Sequence, residues 1–155
     1  MFKFKQFEIH DELSAMKIGT DGVLLGAWAD VRDARSILDV GTGTGLVAIM
    51  CAQRNACARV HGIDIVEAAA TEAQQNMLHT AWHSRLSVEC ADLRSYCPEV
   101  RYDHVVSNPP FFLTTLQSPD AARAMARHAD TLTYDDLVSA AEQLLTPGGR
   151  LSVVL

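Results

Sequence analysis

Three stretches of this chain hold residue types that can do chemistry at short range. The first is Asp39-Val-Gly41-Thr-Gly43-Thr-Gly45, a carboxylate followed by glycines at alternate positions. Glycine lets backbone approach a ligand closely and turn tightly. The G-x-G-x-G spacing departs from the G-x-G-x-x-G that seats a pyrophosphate on a helix N-terminus. A carboxylate at Asp39 would repel a pyrophosphate and could accept a hydrogen bond from an ammonium group, so a cationic amino-acid ligand fits better than a dinucleotide. The second stretch is a pair of acids at the ends of apolar runs, Asp64 and Asp92. Asp64 could take both hydroxyls of a ribose, and Asp92 could accept from an adenine amino group. Either acid alone could also be a strand-end cap or a solvated turn residue. Three acids at three successive strand ends, together with the glycine loop, are harder to dismiss.

The third stretch is "VVSNPPFF", Val105 to Phe112, where a core run halts on Ser107 and Asn108 before two prolines and two phenylalanines. Asn108 offers a side-chain oxygen as acceptor. The Pro109 carbonyl could supply another, held still by the restricted φ angles that follow it. Phe111 is placed to stack on a planar group. A Pro-Pro turn with phenylalanines plugging the core is the plainer reading of the run taken alone.

These stretches need strands and helices to position them. Ser36–Val40, Arg59–Ile65, Leu86–Asp92, Tyr102–Asn108 and Gly149–Leu155 read as strands, mostly apolar on both faces as in a covered parallel sheet. "GLVAIMCAQR" and "VEAAATEAQQNMLHT" read as helices between them. "TYDDLVSAAEQLLTPGG" reads as a helix capped by Thr133, with Asp135 and Asp136 in its first turn and a stop at Pro147-Gly148. Alternation of strands and helices argues a parallel α/β sheet with right-handed crossovers. The sequence stops at "LSVVL", inside the expected fifth strand, and an uncovered apolar edge is a liability, so a fragment of a longer protein is expected.

The chain has 155 residues, which allows one domain with a real core. No apolar run approaches the ~20 residues of a membrane span, and the alternating "MFKFKQFEIHDEL" lacks the apolar segment of a signal peptide, so a cytoplasmic location is expected. The four cysteines show no CxxC pair and the six histidines are scattered, which leaves no metal site and points to buried free thiols. A net charge of −6 counts mildly against a large phosphate footprint within these residues.

With these residues in view, the chain from about Ser36 onward resembles the class I S-adenosylmethionine-dependent methyltransferases, "LDVGTGTG" being similar to their first cofactor motif. The resemblance implies a Rossmann-like α/β fold, a mostly parallel doubly wound sheet that here lacks its last strands. It implies S-adenosyl-L-methionine as cofactor, with Asp39, Gly41, Gly43, Gly45, Asp64, Ile65, Asp92, Leu93 and Asn108 at its site. In that family the first and fourth strands lie side by side, at the switch point where open α/β sheets bind ligands. "NPPF" resembles the (Asn/Asp)-Pro-Pro-(Tyr/Phe) motif of amino-methyltransferases acting on adenine, guanine or protein glutamine, which implies Asn108, Pro109 and Phe111 as catalytic and Pro110 and Phe112 as substrate-facing residues. Amides and aromatic amines are poor nucleophiles because the lone pair is delocalised, and acceptors for both N–H groups would favour localising it. No strong base is required, and alignment and acceptor placement would carry the rate.

The segment "FKQF…MKIGTDGVLLGAWA" is similar to the bacterial tRNA-valine adenine methyltransferases, which implies tRNA as partner. By itself it reads as an amphipathic cover, with Thr20 capping a short helix that contains Leu24 and Leu25. The resemblance makes residues 1–35 a cofactor-covering segment and residues 36–155 the methyltransferase core, with Lys17, Gly19, Thr20 and Asp21 lining the pocket. Arg123 and Arg127 are four apart, on one face if helical, and could contact phosphates or form a solvated face. A protein-glutamine or rRNA-guanine methyltransferase remains open on the same motif. An NAD-dependent dehydrogenase is disfavoured by the glycine spacing, and a binding module without catalysis is the remaining alternative.

Overall fold

Aliphatic and β-branched runs build a five-stranded sheet whose central strands are covered on both faces. In the computed structural model, which describes residues 1–14, 17–109 and 132–154, the elements are β1 (Phe2–Lys3), β2 (Glu8–Ile9), α1 (Thr20–Trp28), β3 (Ser36–Val40), α2 (Leu46–Arg54), β4 (Arg59–Asp64), α3 (Glu67–Leu78), β5 (Leu86–Cys90), β6 (Tyr102–Ser107), α4 (Tyr134–Leu144) and β7 (Leu145–Val153). Strands β5-β4-β3-β6-β7 pair in that order, all parallel. The order in which strands are added reverses between the neighbours β3 and β6, where Leu38 stands opposite Val105.

Side-chain alternation sorts the sheet into two cores. Ile37, Val60 and Val106 pack with α2 and α3, while Leu38, Val40, Ile63 and Val105 pack with Leu137 and Leu144 of α4. The period of two places Asp39 on the α2 face, beside Ile37. Burial is deepest in β3 and β6 and falls off along β5, whose outer residues are exposed. The expectation of strands covered on both faces therefore holds in the centre and not at this edge.

At the N-terminus β1 and β2 form a small antiparallel pair, and α1 packs on α2. Gly26 allows that approach, since a Cβ there would lie 2.6 Å from Met50 Sδ. Arg54 Nη1 donates to the Gly26 and Ala29 carbonyls at 2.9 and 2.7 Å, which satisfies the C-terminal end of α1. Phe4 stacks on Phe7, whose ring meets Trp82 edge-on at 5.9 Å between centroids.

Three local expectations are corrected. Thr20 does not cap α1: Gly19 occupies the N-cap and Thr20 is the first helical residue, exposed to solvent. The last helix ends at Leu144 rather than at Pro147-Gly148, because Leu145 is already extended and pairs with Tyr102. Arg150 is the next residue to rejoin the ladder, opposite His104, so residues 146–149 form a bulge. The preference of Thr146 for extended backbone before proline and the positive φ of Gly148 (81°) shape it. Of the cysteines, all free, Cys51 is buried with its thiol pushed up to about 12 by desolvation, whereas Cys57, Cys90 and Cys97 are exposed. Thr133 does cap α4, in a capping box with Asp136.

Candidate active site

A cavity of about 360 Å³ opens at the C-terminal ends of β3, β4, β5 and β6. Each strand delivers one part of its wall. After β3 the chain turns through Gly41 (φ 68°), Gly43 (φ 54°) and Gly45 (φ 81°), conformations that side chains resist. Gly41 and Gly43 line the cavity. Gly45 lies behind it as the N-cap of α2, where an added Cβ would come within 3.3 Å of Ala73 and Met77.

Two carboxylates hold the loop. Asp39 is 1 % exposed, and its Oδ2 accepts from Thr42 Oγ1 at 2.7 Å and from the Ala48 N–H at 3.1 Å. It therefore ties the loop to α2 as well as lining the cavity. Asp64 accepts from the Gly43 N–H through Oδ2 and from the Val66 N–H through Oδ1, both at 2.9 Å. The loop also crosses directly over β4: the Gly41 and Thr42 N–H groups donate to the Ile63 carbonyl, and a Cβ on Gly62 would lie 2.8 Å from Thr42 Oγ1. Thr42 and Thr44, both buried, line the cavity and were not read from the sequence as site residues. Their placement between glycines, three and five residues after a strand-end acid, was the available signal.

Asp92 follows β5 and accepts from the Arg94 N–H at 3.0 Å, capping a short 3-10 turn, Leu93–Ser95. The Arg94 guanidinium beside it holds its carboxyl below the usual carboxylate range. Asp92 thus caps a turn and also faces the cavity, as do Leu93 and Ile65. Ile65 is 46 % exposed, an apolar side chain at the rim.

Asn108 and Pro109 complete the wall. They follow β6, whose last residue, Ser107, donates its hydroxyl to the Val40 carbonyl at 2.8 Å and so locks the two strand ends together. A Cβ on Gly22 of α1 would lie 3.5 Å from Asn108 Nδ2, so that glycine brings the helix close to the amide. Lys17 and Gly19 line the cavity as expected, with the Lys17 ammonium folded onto the Asp11 and Glu12 carbonyls. Thr20 and Asp21 are not part of its wall. Pro110, Phe111, Phe112, Arg123 and Arg127 lie outside the described residues. Among the described residues no group of three or more His, Cys, Asp or Glu could hold a metal ion, and no helix is long and apolar enough to cross a membrane.

Residues 14–155 match the methyltransferase small domain family. The chain belongs to this family. It is 48% identical over 155 residues, 99% of its length, to the tRNA1(Val) (adenine(37)-N6)-methyltransferase of Phocaeicola vulgatus. It is 46% identical over 154 residues, again 99% of its length, to the protein of the same name from Vibrio vulnificus. The chain spans 65% of the first relative and 64% of the second. A solved S-adenosylmethionine-dependent methyltransferase from Thiobacillus denitrificans, in complex with S-adenosyl-L-homocysteine, superposes with a TM-score of 0.61 at 16% identity, over 85% of this chain and 46% of that one. That likeness and the strand order identify the fold as the Rossmann-like class I methyltransferase fold, with the cavity at its topological switch point.

Burial makes Asp39, the β3 residue that braces the glycine loop, pH-sensitive, raising its pKa from 3.8 to about 7. The unfolded chain releases this proton near pH 4 and the folded one near pH 7. The stability contribution is therefore present at low pH and lost as pH rises through that window, on the order of a few kcal/mol. Thermal melts at pH 5 and pH 8 should show a larger fall for the native chain than for Asp39→Asn. Equal falls would mean that Asp39 is ionised throughout.

Proposed function

We propose that this chain is the cofactor-binding and catalytic part of a cytoplasmic S-adenosylmethionine-dependent methyltransferase that acts on the exocyclic amino nitrogen of an adenine in tRNA. The observation that carries the reading is the convergence on one cavity of the glycine loop, Asp64, Asp92 and Asn108-Pro109. Relatives at 46–48% identity that bear the tRNA adenine name support the choice of acceptor.

The donor set suits this cofactor. A cavity of about 360 Å³ falls in the usual range for small-molecule sites, and its acids at successive strand ends match an ammonium, a ribose diol and an adenine amino group. When bound, the cofactor supplies an electrophilic methyl on a sulfonium. Asp64 would take the ribose, Asp92, Leu93 and Ile65 would hold the adenine, and Asp39 with the loop around Gly41 and Gly43 would receive the amino-acid end. Residues 1–35 cover that end through Lys17 and Gly19. Asn108 and the Pro109 carbonyl accept the two N–H groups of the acceptor amine, which directs its lone pair forward. The proton leaves to solvent after transfer, so no base is called for. Five further residues, outside the described ones, enter by their sequence alone: Phe111 would stack on the unpaired base, Pro110 and Phe112 would face the substrate, and Arg123 and Arg127 would contact phosphates.

Tritiated-methyl transfer from S-adenosylmethionine tests this, with full-length protein offered unmodified tRNA, ribosomal RNA and release-factor or ribosomal proteins. Label in tRNA adenine is the expected result. Label in protein or rRNA guanine alone would overturn the acceptor, and absence of donor binding in calorimetry would overturn the whole reading.

A further inference from the structure

Two polar residues sit one turn apart on the buried side of α3, Glu72 at 2 % and Asn76 at 1 % exposure. A buried carboxylate on a helix is uncommon and has a structural reason when it occurs. Here it captures backbone. Glu72 Oε1 accepts from the Leu13 N–H and Oε2 from the Ser14 N–H, both at 2.7 Å. Asn76 Oδ1 accepts from the His10 N–H at 2.9 Å, while Nδ2 donates to the His10 carbonyl at 2.8 Å and to the Thr44 carbonyl at 2.9 Å. Residues 10–14 belong to no strand or helix. Their backbone groups would otherwise need water or a ladder, and two side chains of α3 stand in for one.

The segment so held leads into the cavity. Ser14, Lys17, Ile18 and Gly19 line it, as does Thr44 of the glycine loop, whereas Glu72 and Asn76 do not. Burial would push the Glu72 carboxyl up, but the Leu13 and Ser14 N–H groups bring it below its ordinary value, so it is ionised at neutral pH and accepts strongly through both oxygens.

We infer that Glu72, with Asn76, is a positioning residue for the donor site: it fastens the N-terminal wall of the cavity to the same helix that steadies the glycine loop. This rests on the proposed function. The two walls are then held at a set separation, and donor affinity depends on a carboxylate that does not touch the donor.

The test compares the full chain with Glu72→Ala and Glu72→Gln. S-adenosyl-L-homocysteine affinity is read by calorimetry, amide exchange at Leu13 and Ser14 by NMR, and turnover at saturating donor by methyl transfer. Glu72→Ala should weaken binding and raise KM for the donor by about tenfold or more, speed exchange at those two amides, and leave kcat within about twofold. Glu72→Gln, which keeps one accepting oxygen, should lie between. Wild-type affinity and slow exchange in either folded variant would overturn the inference, and should Ala prevent folding, Gln alone decides it. If the native chain binds no S-adenosyl-L-homocysteine, the proposed function fails, and exchange at Leu13 and Ser14 still decides whether Glu72 holds the wall.

Discussion

Asn108→Ala is expected to reduce methyl transfer at saturating donor by about 10²–10³-fold, the usual cost of removing one preorganised hydrogen-bonding group at a reacting centre. S-adenosyl-L-homocysteine affinity should change by less than about tenfold, or 1.4 kcal/mol. The reason for the split lies in the placement of the residue. Asn108 stands one position past the end of β6, outside the ladder with β3, and Ser107 carries the bond to Val40 that fixes the strand end. Truncating Asn108 therefore leaves the sheet and the glycine loop in place. On the proposed function, what it removes is the acceptor that would hold an amine N–H and turn the nitrogen lone pair toward the donor. Asn108→Asp keeps an acceptor oxygen and should retain part of the rate. Single-turnover transfer measured beside calorimetry separates the two effects. Equal rates for Asn108→Ala and the native chain would mean that the cavity binds a cofactor without this residue taking part in chemistry.

Asp64→Ala should have the largest effect on binding, with S-adenosyl-L-homocysteine affinity falling by at least about 100-fold, or some 3 kcal/mol. Two losses combine. The carboxylate receives the Gly43 N–H on one oxygen and the Val66 N–H on the other, so it couples the glycine loop to the start of α3. It is also the acid expected to take a ribose diol, and it lines the cavity whereas Glu67, three residues on, does not. Asp64→Asn retains an oxygen for one N–H but turns an amide NH₂ toward the other donor, and should fall between. Because Asp64 is half-exposed at a strand end, melting temperature should drop by only a few degrees. Full affinity in a folded Asp64→Ala chain would remove the ribose from this position.

The parts of this protein that run along the chain were legible before the fold. Alternation of apolar strands with helix-forming segments set the parallel α/β class, and Ser36–Val40 was bounded as found. The Thr133 cap was readable because capping involves residues three apart. The glycine loop and the strand-end acids were readable because a motif at a strand end carries its own backbone requirement.

Misreadings arose where a distant element won. Leu145 follows a good helix pattern, yet pairing with Tyr102 draws it into the sheet ahead of the proline. Gly19, not Thr20, caps α1. Three cysteines lie on the surface, Cys90 at the end of the edge strand β5 and Cys57 and Cys97 in loops.

By itself, then, the sequence determined the class of fold, a glycine loop after the first strand of the sheet, and an amide directly after the fourth. Only the tertiary structure decided which of those residues share one cavity, because strand order, and not spacing in the chain, brings Asn108 beside Gly41. It also decided that Asp39 is buried and braced by Thr42 and Ala48, and that Glu72 and Asn76 clasp a segment some sixty residues away. Such contacts join groups far apart in sequence, and a local pattern of residue types carries no record of which backbone will arrive to meet them.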